Sequence, residues 1–231
     1  MLITQIQIHA VFVVAAHPCA TGTSDLIRGS LKQPDLSGNF RENTMTVLSI
    51  YNEDASGKPE HIRDYSDIAR RLDSVGVLIE RWEAGQKLTV DAQSDEVKTA
   101  YKDSIDRLNE KYGFKSIDVV SLRPDNPKRE DMRKMFLTEH FHRDFEIRFF
   151  IDGRGLFYLH IQGKIYCVLC EKEDLISVPA NTTHWFDMGT APSFKAIRLF
   201  TTENGWVAEF TGSDISTKFP TFDDYVKLVN A

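Results

Sequence analysis

Cysteine is scarce: Cys19, Cys167 and Cys170 are the only three among 231 residues. An odd count with no dense framework excludes a disulfide-stapled scaffold. It favours a reducing compartment, and a cytoplasmic protein is expected. Basic charge is short as well. With 28 Lys and Arg against 34 Asp and Glu, the formal net charge is -6, which leaves no cationic excess to neutralise phosphates and excludes a general nucleic-acid binder. A membrane-spanning run is also missing. The segment from Ile8 to Ala16 is as apolar as a signal-peptide core, but it is much too short to cross a bilayer, and the first basic residue, Arg28, comes after it. Neither a nucleic-acid nor a membrane partner is expected. No repeat or low-complexity segment is evident.

What is present fits one folded domain, since a chain of 231 residues with 42% hydrophobic and 27% charged residues can bury a substantial core. Residues 1–44, ending in a stretch rich in Thr, Ser, Gly and Pro, read as a mobile extension or a start-site artefact. The domain is expected over residues 45–231, with Met45 as the biological start, because the strand-like run Val47 to Tyr51 follows at once. Peptides upstream of Met45 in the native protein would refute that start.

A short amphipathic helix is expected around Ser66 to Leu72, stopped by Gly76, and a strand over Val77 to Trp82. Val97, Tyr101, Ile105, Leu108 and Tyr112 recur at helical spacing and read as a core stripe, with Gly113 as the stop. Ile117 to Leu122 is a further strand. Pro127 marks a helix start, and Met132, Met135 and Phe136 are placed on its inner face. From Thr138 onward the pattern changes to short strands, with hairpin signals at Ile151 to Gly155 and His160 to Lys164. That pattern predicts a mainly β fold with flanking helices, built as a small β-barrel or double-stranded β-helix able to hold a ligand. Thr221 is positioned to cap a last helix over Phe222 to Val229, packed outside the barrel. Cys167 and Cys170 form a C-x-x-C inside the strand-like run Ile165 to Cys170, where packing is the expected role.

The chemistry concentrates in Glu139-His140-Phe141-His142-Arg143-Asp144-Phe145-Glu146-Ile147-Arg148. In the pattern H-x-H-x3-E, His140 and His142 are one residue apart, so on an extended chain they face the same side. Two imidazoles and the Glu146 carboxylate suit a borderline first-row ion such as iron, nickel, manganese or zinc. A fourth ligand is offered by His184, after the Pro179 turn. A lone histidine near apolar residues is ordinarily structural; four potential ligands at this spacing favour a metal site. Arg148 shares strand parity with Glu146 and is expected in the same interior, where a buried cation needs a partner.

The run from Glu139 to Gly153, Gly155 to Tyr158, Cys170 to Pro179 and His184 to Gly189 together resemble the two metal-binding motifs of a cupin. More narrowly, they are similar to the acireductone dioxygenase family of methionine salvage, with further likeness in Ala55 to Pro59, Val119 to Leu122 and Ala196 to Thr201. The resemblance implies one Fe(2+) or Ni(2+) per chain on His140, His142, Glu146 and His184. It implies a monomer whose partners are an acireductone, 1,2-dihydroxy-5-(methylthio)pent-1-en-3-one, and O2. The iron form would give 4-methylthio-2-oxobutanoate and formate; the nickel form would give 3-methylthiopropanoate, formate and CO.

By resemblance, Arg148 helps form and hold the substrate dianion, the alternative being a structural ion pair. Phe136, Phe157 and Phe186 match positions around the methylthio tail, or are ordinary core residues. Glu139 and Phe145 would stand behind the ligands; Glu139 could equally be a solvated carboxylate, and Phe145 departs from the acidic residue often found in the family. His160 is read as structural. A different class of function also fits the fold: a metal-bound cupin that binds or senses a small molecule without turnover.

Overall fold

The structure, a computed structural model, describes residues 46–89 and 91–230; the expected extension over residues 1–44, the start at Met45 and Cys19 all lie outside them. Strand formers open the described chain as β1 (Val47–Asn52) and β2 (Glu60–Ile62). In α1 (Tyr65–Asp73) the Asp64 carboxylate caps the first turn by accepting from the Asp67 N–H at 3.0 Å. Gly76 supplies the expected stop at φ 82°, and β3 (Leu78–Arg81) follows.

The expected helical stripe is divided into α2 (Ser94–Ala100) and α3 (Lys102–Tyr112). Tyr101 leaves helical geometry between them at φ -104° and ψ 16°, with its buried ring set edge-on to Phe149 at a centroid distance of 5.5 Å. After β4 (Ser116–Leu122), α4 (Arg129–Leu137) buries Phe136 and half-buries Met132. Met135, expected on the same face, is instead 49% exposed. Met132 and Phe136 are one helical turn apart, whereas Met135 is rotated roughly 100° away from Phe136.

The remaining strands are β5 (His140–Phe141), β6 (Glu146–Ile161), β7 (Lys164–Glu171), β8 (Asp174–Val178), β9 (Thr183–Asp187), β10 (Phe194–Phe200) and β11 (Glu209–Phe210). A 3-10 turn at Ile215–Lys218 leads to α5 (Phe222–Asn230), where Thr221 Oγ1 accepts from the Asp224 N–H at 3.3 Å as the expected cap. The fold is mainly antiparallel β with flanking helices, as expected of a cupin. Two sheets share β6: its first half lies in the order β3-β8-β6-β10-β4, its second half in β11-β5-β9-β6-β7-β1-β2. Among the described residues the hydrogen-bonded sheet does not close into a ring.

The hairpin expected at Ile151 to Gly155 is absent, because β6 runs through it as one strand of 16 residues. Gly153 instead bends β6 from one sheet into the other at φ 67°, where an added Cβ would lie 1.9 Å from the Ser193 carbonyl oxygen. The register with β10 slips beside it, between Lys195 and Ala196. Asp-Gly signals a positive φ equally well in a bend or bulge and in a turn, which is why the sequence misleads here. At Gln162 (φ 52°) and Gly163 (φ 70°) the expected tight hairpin is present.

The space between the sheets is filled by Leu48, Phe150, Phe157, Val168, Ile176 and Phe186. Outside one sheet, α2 and α3 cover Ile147, Phe149, Ile197 and Leu199 with Val97, Tyr101 and Ile105. Outside the other, α5 covers Tyr158 and Trp185 with Tyr225 and Val229. Cys167 and Cys170 are buried free thiols, three positions apart on β7 and therefore on opposite faces. Both pack as small apolar side chains.

Candidate metal centre

β5 is only two residues long, yet His140 is the direct cross-strand partner of His184 on β9 and of Phe210 on β11. His142 follows on the same side. Ring centroids lie 5.2 Å apart for His140 and His142, 4.5 Å for His140 and His184, and 5.4 Å for His142 and His184. One ligand-capable atom from each of these three buried histidines lies within 4.8 Å of the other two. Glu146 opens β6 beneath them: its Oε2 is 3.0 Å from His184 Nε2 and 3.7 Å from His142 Nε2.

The far nitrogen of every ring is committed. His140 Nδ1 donates to the Thr138 carbonyl at 2.7 Å, His142 Nδ1 to the Val207 carbonyl at 2.9 Å, and His184 Nδ1 to the Thr182 carbonyl at 2.8 Å. A carbonyl only accepts, so Nδ1 carries a proton, and in the neutral form of each ring Nε2 keeps its lone pair. Burial, reinforced by the neighbouring His184, brings the pKa of His140 down to about 4; burial also lowers that of His142. Neutral imidazole is the ligating form.

Glu146 divides its two oxygens. Arg148 reaches Oε1 through Nη2 at 2.6 Å and Nε at 2.7 Å, while Oε2 faces the histidines. Burial by itself pushes the Glu146 carboxyl up, but the Arg148 guanidinium leads the groups that more than offset it and hold it well below the usual range. Glu146 Oε2 and His184 Nε2 are both buried and have no hydrogen-bond partner among the described residues. Each unsatisfied buried atom costs about 1–3 kcal/mol. A cation shared between Glu146 Oε2 and the Nε2 of a neutral His184 would satisfy both. The donor set, imidazole nitrogens and a carboxylate without thiolate, fits a first-row divalent ion.

The Arg148 guanidinium carbon lies 4.6 Å from the Phe186 ring centroid, 4.8 Å from Phe157 and 5.9 Å from Phe136, so these three aromatics, all members of the buried core, surround it. Glu139 is engaged elsewhere than with the three clustered histidines. Only 3% exposed, it accepts from Thr211 Oγ1 at 2.6 Å and pairs with His160 Nδ1 at 2.8 Å, which gives His160 its place. Phe145 is 47% exposed and is not brought into the cluster.

The sequence profile of the ARD/ARD' family matches residues 47–208. The chain belongs to this family. Acireductone dioxygenase of Methylococcus capsulatus is 54% identical over 183 residues, covering 79% of this chain and 98% of that protein. The acireductone dioxygenase of Hydrogenobaculum sp. is 55% identical over 184 residues, covering 80% of this chain and all (100%) of that one. Among solved structures, acireductone dioxygenase from Bacillus anthracis with a cadmium ion in its active centre aligns with a TM-score of 0.64 at 29% identity, covering 73% of this chain and 99% of that chain.

For a member of the ARD/ARD' family, several parts of the site have no side-chain signature. The Thr138, Thr182 and Val207 acceptors are backbone carbonyls, invisible to motif reading. Asp187, which the sequence offers only within the matching run His184 to Gly189, takes Arg133 of α4 bidentately at 2.7 and 2.9 Å and the backbone N–H of Phe222 at 2.8 Å, fixing the helix that carries Phe136. Arg198, the cross-strand neighbour of Arg148, was read only as part of a matching run and is held by Asp118 at 2.8 and 2.6 Å.

Proposed function

We propose that this chain, as a member of the ARD/ARD' family, cleaves 1,2-dihydroxy-5-(methylthio)pent-1-en-3-one with O2, using one Fe(2+) or Ni(2+) held by His140, His142, Glu146 and His184. The observation that carries this reading is the meeting of Glu146 Oε2 and His184 Nε2, 3.0 Å apart, buried and without a hydrogen-bond partner among the described residues. When bound, the ion would act as template and Lewis acid for a substrate whose adjacent oxygens can chelate it.

The chain's own residues supply the rest. Arg148 remains a cation paired to Glu146 and lowers the energy of the deprotonated enediol by charge, in surroundings where water does not screen it. Phe136, Phe157 and Phe186 exclude water around that guanidinium and offer ring surfaces to a thioether tail. Among the described residues no helix is long and apolar enough to cross a membrane.

The test is to reconstitute the same metal-free protein separately with iron and with nickel, supply acireductone and O2, and assay CO and keto acid. Iron should give 4-methylthio-2-oxobutanoate with essentially no CO, and nickel should give CO. Identical product ratios from two verified, active metal forms would reject metal-controlled branching.

A further inference from the structure

Two of the three histidine acceptors are local and one is remote. Thr138 and Thr182 each lie two positions before the histidine they hold, whereas Val207 is 65 residues from His142. The local pairs are set by the course of their own short segments. The His142 ring depends on where the segment after β10, residues 201–207, is held.

Asp144 holds it. Although charged and two residues from His142, it is only 6% exposed. Its Oδ1 accepts from Thr201 Oγ1 at 2.5 Å and from the Phe145 N–H at 2.8 Å; its Oδ2 accepts from the Thr202 N–H at 2.8 Å and Thr202 Oγ1 at 3.1 Å. The segment then folds back over the carboxylate. A Cβ at Gly205 would lie 2.4 Å from Asp144 Oδ2 and 2.6 Å from Phe200 Cβ, so glycine is what allows this approach. Turn bonds from Gly205 N–H to the Thr202 carbonyl (3.3 Å) and from Val207 N–H to the Asn204 carbonyl (3.0 Å) carry the constraint to Val207.

We propose that Asp144 is a positioning residue for the metal centre: by clamping residues 201–207 it places the Val207 carbonyl that fixes the tautomer and ring orientation of His142. The proposal rests on His142 being a ligand. The clamp runs through Asp144 and bypasses the exposed Phe145 side chain. Charge-assisted hydrogen bonds from two successive residues make it strong, and a histidine aligned in advance gives up its metal slowly.

The test combines 15N NMR of histidine-labelled metal-free protein with nickel release from the loaded protein into excess EDTA. In Asp144→Ala, His142 should lose its Nδ1–H signature while His140 and His184 keep theirs, and nickel release should be about 10-fold faster or more. Gly205→Ala attacks the clamp from the other side and should give the same pattern, which keeps the test decisive if Asp144→Ala does not fold. An unchanged His142 tautomer in the folded variants overturns the clamp. An equal change at all three histidines overturns it too, because it marks general loosening. Loss of the His142 tautomer with unaltered nickel release would instead contradict the placing of His142 among the ligands.

Discussion

His140 and His184 are direct cross-strand partners on β5 and β9, with ring centroids 4.5 Å apart. Strand pairing therefore converts two positions 44 residues apart into adjacent candidate ligands, and neither can be replaced from a neighbouring position without a change of register. His140→Ala and His184→Ala should each purify with sharply reduced metal content and lose turnover. Metal analysis alongside kinetics checks this; full metal stoichiometry with normal turnover in both would remove these residues from the site.

Arg148 meets Glu146 Oε1 through two nitrogens, an arrangement that lysine, a point charge without the planar fork, does not reproduce. Arg148→Lys should keep its metal, because Oε2 and the three imidazoles are untouched, and should lose most of its activity, by about 10-fold or more for one charge-assisted contact. Unchanged kcat/KM would show that Arg148 does not hold the dianion.

Acid should destabilise the metal-free protein earlier than ordinary carboxylate titration requires. His140 is neutral in the fold, with a pKa of about 4 against an ordinary 6.5, so the unfolded chain binds more protons between those values. Stability is complete above about 6.5 and falls as the pH drops towards 4, by roughly 3 kcal/mol for this group alone. His142 is lowered by burial and acts with the same sign. Glu146, held well below its ordinary 4.5, adds to the loss only at lower pH. Urea unfolding of metal-free protein should give a lower midpoint at pH 5.5 than at pH 7, and equal midpoints would contradict the burial of neutral histidines.

Gly155 lies beneath one of the rings that enclose Arg148. A Cβ there would approach Phe186 Cζ to 2.2 Å and Cε2 to 2.5 Å, while that ring, fully buried, lies 4.6 Å from the guanidinium carbon. Gly155→Ala should cost about 1–3 kcal/mol of stability as an overpacked core and lower kcat/KM with metal content intact. Urea unfolding and kinetics together check it; wild-type values for both would mean that Phe186 moves freely.

Much of this centre was legible in the sequence because it rests on parity and ligand type. His140 and His142 sit on one side, and Arg148 shares the interior of Glu146. Phe136, Phe157 and Phe186, which gather around the guanidinium, are named only through the family resemblance. What could not be read depends on backbone atoms or on where the chain turns. The Val207 carbonyl has no side-chain signature, and Asp144 looks like any surface charge until residues 201–207 fold onto it. Asp152-Gly153 fits a hairpin and a sheet-to-sheet bend equally well, and only the pairing of β6 with β10 distinguishes them. Met135 differs from its neighbour Phe136 by one step of helical rotation, too fine a distinction when the helix start is uncertain by a residue.

The most direct measurement is to mix an acireductone anaerobically with metal-loaded protein and then admit O2, following both compounds. A dioxygenase consumes the two together through repeated turnovers, with formate as a product, and loses that activity when the metal is chelated. Stable binding of the acireductone without consumption of oxygen, by protein verified to hold its metal, would contradict the enzymatic reading and leave a metal-bound cupin that binds or senses its ligand.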